Sequence, residues 1–265
     1  MSQPILVFDS GIGGLTVLSE IKQRLPQQNY HYLFDNLRLP YGELDDQELI
    51  EGVVTLIADT VSSIDACLVV IACNTASTLV LSHLRNQLSV PIVGVVPAIK
   101  PAAVYSKTKC IALLATPATI TRQYTKDLIA EFAGDCQVIS VASSEMVHMA
   151  EDKLNKKEID QEQLQTVLAP IKESCVDVLV LGCTHFPLLK TEITEILDDE
   201  VLLMDSGKAI ARRVETILVE SFGSKKSGVT ESANLTAWYT SKQLSHELTE
   251  TLFEYGFKKI SPINE

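Results

Sequence analysis

The sequence lacks both long apolar runs and any concentration of basic charge. No apolar run approaches the ~20 residues of a membrane span, and basic residues cluster only in adjacent pairs such as Arg212-Arg213. With 22 Lys and Arg against 34 Asp and Glu, the formal net charge is −12. Because binding to a phosphate backbone needs a basic face, we expect no nucleic-acid partner. Because no apolar run is long enough to span a bilayer, we expect no membrane. The first residues, MSQPILVFDSG, have no basic segment of a secretory signal, so a cytoplasmic location is expected.

The six cysteines lack the spacing of a metal site or a redox site. No CxxC pair occurs, which argues against structural zinc and thioredoxin-type redox chemistry. Thiols of a cytoplasmic protein normally stay reduced, so no disulfide is expected. Four cysteines lie in or beside apolar runs and are interpreted as small buried hydrophobic residues: Cys67, Cys110, Cys136 and Cys175. Cys73 and Cys183 differ, because each follows the end of an apolar run.

Short apolar runs alternate with amphipathic stretches along the whole chain. The predicted strands are Ile5–Phe8, Tyr30–Phe34, Cys67–Ala72, Ile92–Val95, Ile111–Ala115, Val138–Val141, Val178–Gly182, Val201–Met204 and Leu235–Tyr239. The predicted helices are Ile12–Leu25, Asp45–Ile64, Thr119–Ala133, Gln161–Ser174, Leu188–Leu197, Lys208–Phe222 and Ser241–Tyr255. This alternation predicts a doubly wound α/β fold with mainly parallel sheets, whose ligands bind at the carboxyl ends of the strands. The tract 223–232 is expected to be an exposed loop.

Two strand-to-cysteine turns resemble each other. The stretch LVVIACN, Leu68–Asn74, matches VLVLGCT, Val178–Thr184, at an offset of 183 − 73 = 110 residues. The upstream strands that begin at Ile5 and Ile111 are offset by 111 − 5 = 106 residues. If this short echo is more than chance, it predicts two similar α/β lobes that each contribute one thiol to a shared cleft.

Four turns carry residues suited to chemistry: Asp9–Gly14 (DSGIGG), Pro40–Gly42 (PYG), Ala72–Ser77 (ACNTAS) and Gly182–Pro187 (GCTHFP). In three of them, an apolar strand leads into a predicted helix, whose N-terminus attracts anions and lowers the pKa of a nearby thiol. We therefore expect lowered pKa values for Cys73 and Cys183. The neutral side chains at these turns can hold a carboxylate or simply cap a helix: Ser10, Asn74, Thr75 and Thr184.

Two thiols at one cleft suggest removal of a proton from one face of a carbon and delivery to the other. Asp9 beside Cys73, and His185 beside Cys183, could assist the proton transfer. His185 could instead be a hydrogen-bonded histidine of the core. Two other functions stay open: a hydrolase or transferase with a single cysteine nucleophile, and a two-lobed binding protein without chemistry.

Five stretches, in order, resemble the glutamate racemases of the aspartate/glutamate racemase superfamily. They are VFDSGIGGLTVL (7–18), the segment Asp35–Gly42, VIACNTAS (70–77), ATPATI (115–120) and LGCTHFPLL (181–189). The resemblance implies interconversion of L- and D-glutamate without pyridoxal phosphate or metal, which supplies D-glutamate for bacterial peptidoglycan. It also implies a homodimer. A related aspartate racemase is the alternative, since the length of the cleft decides the substrate.

The resemblance also assigns roles to individual residues. Cys73 is expected to take the proton from D-glutamate, and Cys183 the proton from L-glutamate. The residues expected around the substrate are Asp9, Ser10, Tyr41, Gly42, Asn74, Thr75, Thr184 and His185. One α/β lobe is expected to comprise residues 1–97 plus 208–265, and the other residues 98–207.

The sequence departs from the family in two places. The segment usually written V-P-L-V-E is here Val147–Glu151 (VHMAE), so Glu151 is retained as a helper while His148 and Met149 break the pattern. The first strand begins at Ile5, without the N-terminal extension through which some relatives are activated by a cell-wall precursor. We therefore do not expect that form of regulation.

Overall fold

The computed structural model describes residues 3–223 and 233–263. Most of the tract predicted as an exposed loop, residues 224–232, lies outside these ranges. The strands are β1 (Ile5–Asp9), β2 (Tyr30–Phe34), β3 (Leu68–Ile71), β4 (Ile92–Gly94), β5 (Cys110–Ala115), β6 (Gln137–Ala142), β7 (Val178–Leu181), β8 (Leu202–Met204), β9 (Leu235–Tyr239) and β10 (Lys259–Pro262). All nine predicted strands are thereby confirmed to within about a residue at each end.

The helices connect these strands. They are α1 (Leu15–Arg24), α2 (Asp46–Ile64), α3 (Asn74–Gln87), α4 (Ile99–Tyr105), α5 (Pro117–Thr121), α6 (Gln123–Phe132), α7 (Glu145–Leu154), α8 (Gln161–Lys172), α9 (Lys190–Leu197), α10 (Gly207–Phe222) and α11 (His246–Glu254). Two short 3-10 helices, Tyr41–Glu43 and Phe186–Leu189, complete the connections. None of the helices in the described part of the chain is long and apolar enough to cross a membrane.

The strands form two separate parallel sheets. The first sheet has six strands in the order β10-β9-β2-β1-β3-β4, and the second has four in the order β6-β5-β7-β8. Each sheet and the helices packed on it are called here the first lobe and the second lobe. The predicted α/β fold with two doubly wound lobes is confirmed.

The echo in the sequence corresponds to equivalent positions in the two sheets. The order β2-β1-β3-β4 repeats as β6-β5-β7-β8. Ile5 pairs with Leu68 in the first sheet, and Ile111 pairs with Val178 in the second, so the register reproduces the offsets of 106 and 110 residues. Cys73 and Cys183 therefore follow equivalent strands. Among the described residues, the first sheet differs from the second in being extended by β9 and β10 beyond β2.

Apart from Asp9 at the end of β1, the central strands β1, β3, β5 and β7 are apolar because helices cover both faces of each sheet. Every residue of β1 and of β5 is buried, and each fully buried Leu, Ile or Val side chain contributes roughly 1.5–3 kcal/mol. The edge strand β6 is covered less completely, and its side chains are mostly half-buried or exposed. The core of the first lobe includes Ala211 and Val214 of α10, while Ile99 of α4 packs into the second lobe.

Some helix predictions differ from the structure. The helix predicted over Thr119–Ala133 is two helices, because Arg122 adopts an extended conformation between α5 and α6. The helix predicted from Ser241 begins only at His246, where the side chain of Ser245 accepts a hydrogen bond from Leu248 N and caps it. Three short elements have no counterpart among the sequence predictions: α4, α7 and β10. The seven residues of α4 and the four of β10 are too few for a strong periodic pattern, whereas α7 was missed although α9 and α11 are shorter and were predicted.

The expectation that all thiols are reduced and that four of them are buried is wrong in part. Cys110 and Cys175 form a disulfide with a Cα–Cα distance of 5.8 Å. Cys175 is exposed and Cys136 is half-buried, while Cys67 and Cys110 are buried as predicted. Cys110 begins β5 and Cys175 lies three residues before β7, and the parallel register of these strands brings their starting ends together.

We predict the number of titratable thiols from this pairing. Protein denatured without reductant should react with a thiol reagent at the four unpaired cysteines, and at all six after reduction. Reduction should also lower the free energy of unfolding by roughly 2–4 kcal/mol, since the bond closes a long loop. Six reactive thiols before reduction would contradict the pairing, and the Cys175→Ser variant, with five thiols in either condition, is the control.

Candidate active site

The predicted turns meet where the two lobes face each other. Asp9 ends β1, Cys73 follows β3, and Cys183 follows β7, so all three lie at the carboxyl ends of central strands. All three side chains are at most 7% exposed. The site therefore combines residues of both lobes in an environment largely shielded from water.

Cys73 is the N-cap of α3. Its sulfur accepts a hydrogen bond from Ala76 N at 3.4 Å, and its thiol donates to Ser10 Oγ at 3.6 Å. Burial raises the pKa of Cys73 to about 12, and the negative charge of Asp9 adds to this effect. The predicted lowering of this pKa is wrong, because desolvation of the thiolate outweighs the helix N-terminus.

Asp9 connects the two lobes through a hydrogen bond. One carboxylate oxygen accepts from Gly14 N at 2.7 Å, and Thr184 Oγ1 of the second lobe lies 3.2–3.3 Å from both oxygens. Burial raises the pKa of Asp9 to about 6, although the positive charge of His185 opposes the shift. The amino end of α1 therefore holds the protein's own carboxylate through Gly14.

Cys183 precedes a 3-10 turn, Phe186–Leu189, rather than the N-terminus of an α-helix. The helix-terminal setting predicted for this thiol is wrong, and its neighbour is instead His185, whose Nδ1 lies 3.7 Å from Cys183 Sγ. His185 Nε2 lies 2.7 Å from Glu151 Oε1. Burial lowers the pKa of His185, but the contacts with Cys183 and Glu151 outweigh it and raise the pKa well above its usual range.

Glu151 and the glycine turn hold His185 from the other side. Glu151 Oε1 also accepts from Ile12 N at 2.9 Å. A Cβ at Gly13 would lie 2.5 Å from His185 Nδ1, and a Cβ at Gly11 would collide with Glu151 Oε1. The glycines therefore provide the space for the His185–Glu151 pair. Although Cys, His and Glu meet here, the described residues contain no cluster of three such side chains suited to hold a metal.

Tyr41 and Gly42 lie in the 3-10 helix Tyr41–Glu43 of the first lobe. Tyr41 Oη donates to Asp35 Oδ2 at 2.5 Å, and Thr240 Oγ1 donates to the other oxygen of Asp35 at 2.6 Å. Burial and the charge of Asp35 raise the pKa of Tyr41 well above its usual range. The Tyr41 hydroxyl is thus committed to Asp35, while Gly42 lies where a Cβ would come within 3.0 Å of Thr116 in the second lobe.

Asn74 and Thr75 form the first turn of α3. Asn74 Oδ1 is buried and has no hydrogen-bond partner among the described residues. Thr75 Oγ1 lies 2.9 Å from Thr116 Oγ1 and 3.2 Å from Thr119 Oγ1, both in the second lobe. The sequence reasoning did not assign Thr116 or Thr119 to the site, although Thr116 is followed by proline at the first helical position, the pattern of a helix start.

Comparison with known proteins supports the resemblance seen in the sequence. The family model for Asp/Glu/Hydantoin racemases matches residues 12–214, and the chain belongs to this family of racemases. It is 58% identical over 262 residues to the glutamate racemase of Shewanella woodyi, covering 98% of each chain. It is 55% identical to that of Shewanella sp. MR-7, covering 99% of this chain and 97% of the other.

Solved structures agree over almost the whole chain. The crystal structure of Escherichia coli glutamate racemase in complex with L-glutamate and the activator UDP-MurNAc-ala matches with a TM-score of 0.89 and 39% identity, covering 98% of each chain. Glutamate racemase isoform RacE1 of Bacillus anthracis matches with a TM-score of 0.84 and 28% identity, covering 98% and 96%.

The buried Asp9 predicts a gain in stability when its charge is removed. A native pKa of about 6 against an ordinary 3.8 means that stability is lost as the pH rises between these values, by roughly 3 kcal/mol in total. We expect Asp9→Asn to raise the free energy of unfolding at pH 8 more than at pH 4, as measured by urea denaturation. An equal change at both pH values would contradict the raised pKa.

The Glu151–His185 contact predicts the direction of a pKa change. Because Glu151 helps to hold the proton on His185, Glu151→Gln should lower the pKa of His185, so that the cation is lost at lower pH. Nitrogen-15 NMR of labelled histidine measures this titration, with His185→Gln for assignment. Glu145→Gln on the same helix is the matched control, and an unchanged titration in Glu151→Gln would argue against the contact.

Proposed function

We propose that this protein interconverts L- and D-glutamate by proton transfer at Cα between two thiols. The observation that carries the proposal is the placement of Cys73 and Cys183, which follow equivalent strands of the two lobes and are both buried. Inversion needs a proton removed from one face of Cα and another delivered to the opposite face. A pair of thiols contributed by two facing lobes supplies both.

The thiols start from different protonation environments. Cys73, with a pKa of about 12, carries its proton at neutral pH and is ready to act as an acid. Cys183 has His185 within 3.7 Å as a proton partner. For L-glutamate, Cys183 takes the α-proton and Cys73 donates one to the other face; for D-glutamate, the roles reverse. Each turnover leaves the thiols in exchanged protonation states, which proton transfer through His185, Asp9 and solvent restores.

The neighbouring polar groups fit an amino acid with two carboxylates. The unpartnered Asn74 Oδ1 is an acceptor suited to an ammonium group. The hydroxyls of Ser10 and Thr75 and the backbone N–H at Gly42 are donors suited to carboxylates, and the Thr184 hydroxyl becomes one when it exchanges its acceptor Asp9 for the ligand. Because screening limits charge interactions to ~8 Å at physiological salt, these local donors can bind an anion despite the net charge of −12.

Glutamate is favoured over aspartate because the relatives that match over almost the full chain are glutamate racemases. Circular dichroism of L-glutamate and of L-aspartate, each incubated with the protein and no added cofactor, distinguishes the two. Loss of optical activity with aspartate alone would assign the protein to the aspartate alternative.

The wider setting follows from the family resemblance. We propose that the protein is cytoplasmic and supplies D-glutamate for bacterial peptidoglycan synthesis, which rescue of a D-glutamate-requiring strain tests. We propose a homodimer, which sedimentation equilibrium tests. The packing of α10 on the first lobe and α4 on the second supports domain bounds of 1–97 plus 208–265 and 98–207.

The two-thiol reaction predicts that each cysteine is indispensable. Cys73→Ala and Cys183→Ala should each lower racemisation at least 10²–10⁴-fold, the usual contribution of a general acid or base. Cys136→Ala, which alters a half-buried thiol outside the site, is the matched control. Polarimetry with both enantiomers and deuterium incorporation at Cα measure the effect.

Each alternative gives a distinct result in the same assays. Full racemisation by either alanine variant would contradict the two-thiol reaction. No deuterium uptake from either enantiomer by the unaltered protein would indicate binding without chemistry. A covalent acyl adduct on one cysteine, seen by mass spectrometry, would indicate a nucleophilic hydrolase or transferase.

A further inference from the structure

Arg122 reaches from the second lobe to two helices of the first. It lies between α5 and α6, and its side chain is only 10% exposed. One guanidinium nitrogen donates to the backbone carbonyl of Thr75 and, at 2.9 Å, to Thr78 Oγ1. The other terminal nitrogen donates to Asp46 Oδ1 of α2 at 2.6 Å. A single side chain therefore connects three groups of the opposite lobe.

The contact falls on the turn that carries Cys73. The Thr75 carbonyl belongs to the first turn of α3, two residues after the thiol, and the Thr75 hydroxyl is held by Thr116 and Thr119. The second lobe thus binds this turn at two groups, the hydroxyl and the backbone carbonyl of Thr75. Arg122 Nε is buried without a hydrogen-bond partner among the described residues, an unfavourable arrangement for a cation. The side chain therefore serves the inter-lobe contact at the expense of its own solvation.

We propose that Arg122 is a positioning residue that fixes the first turn of α3, and with it the Cys73 sulfur, when the two lobes are closed. The proposal rests on the proton transfer by Cys73 proposed above. Because the site is buried, substrate entry requires the lobes to separate, and the hydrogen bonds of Arg122 to Thr75 and Thr78 break with that separation. Closure restores them and returns the sulfur to its place beside Cα, where a displacement of about 1 Å can cost on the order of 10²-fold in rate.

The equal free energies of the two enantiomers make this role separable from a general loss of structure. Since the equilibrium constant is one, kcat/KM must be the same in both directions in every variant. The primary isotope effects on kcat/KM, in contrast, need not be equal in the two directions. With α-deuterated D-glutamate the labelled bond is broken by Cys73, and with α-deuterated L-glutamate by Cys183. A slower Cys73 step therefore raises the isotope effect on kcat/KM for D-glutamate and lowers that for L-glutamate.

The test measures both isotope effects in the full-length protein. Arg122→Ala should lower kcat/KM roughly 10–100-fold and shift the two isotope effects in opposite directions. Arg122→Lys keeps a donor for the Thr75 carbonyl and should recover part of both changes. Asp46→Asn leaves both bonds to α3 in place and should alter kcat/KM less than threefold. Arg24→Ala, which removes the surface ion pair with Glu215 inside the first lobe, is the matched control.

The outcomes separate this proposal from its premise. If Arg122→Ala lowers activity but leaves both isotope effects as in the unaltered protein, or leaves activity unchanged, the positioning role is overturned. If Arg122→Ala does not fold, the same measurements are made on Arg122→Gln. Unchanged isotope effects or unchanged activity in that variant would likewise overturn the positioning role. Failure of the proposed function would appear earlier, as absence of glutamate racemisation in the unaltered protein or full activity in Cys73→Ala.

Discussion

The close approach of the glycine turn to the second lobe is the contact on which the rest of the site depends. Gly11 and Gly13 leave room for His185 and Glu151, and a methyl group at either position would collide with that pair. Through this approach, Ile12 N binds Glu151 while Glu151 binds His185. His185 in turn lies beside Cys183. The position of one thiol is therefore set by the backbone of the opposite lobe.

Burial at this contact also decides the electrostatics of the site. It raises the pKa of Cys73 to about 12 and that of Asp9 to about 6, against the direction expected from the helix N-termini. For His185 the same burial is outweighed by two specific partners. The two thiols consequently differ in surroundings although they stand at equivalent places in the repeat, a difference suited to the proposed reaction, which needs one acid and one base.

The sequence predicted the parts of the fold whose signal is local. Buried parallel strands are continuous apolar runs, so nine of the ten strands of the described residues could be located, and the echo around Cys73 and Cys183 gave their equivalence. The seven-residue helix α4 has too few turns to be recognised. The prediction that Cys183 lies at the N-terminus of an α-helix was wrong, because the residues that follow it do not distinguish a 3-10 turn from an α-helix.

What the sequence by itself determined was the two-lobed α/β architecture, the pair of cysteines and the polar residues beside them, since all of these follow strand ends that can be read locally. Only the tertiary structure decided which residues meet across the lobes. The approach of Thr116 and Thr119 to Thr75, the reach of Arg122 to α3, and the pairing of Cys110 with Cys175 join residues 41 to 65 positions apart. Such contacts depend on sheet register and lobe packing, which no local pattern encodes.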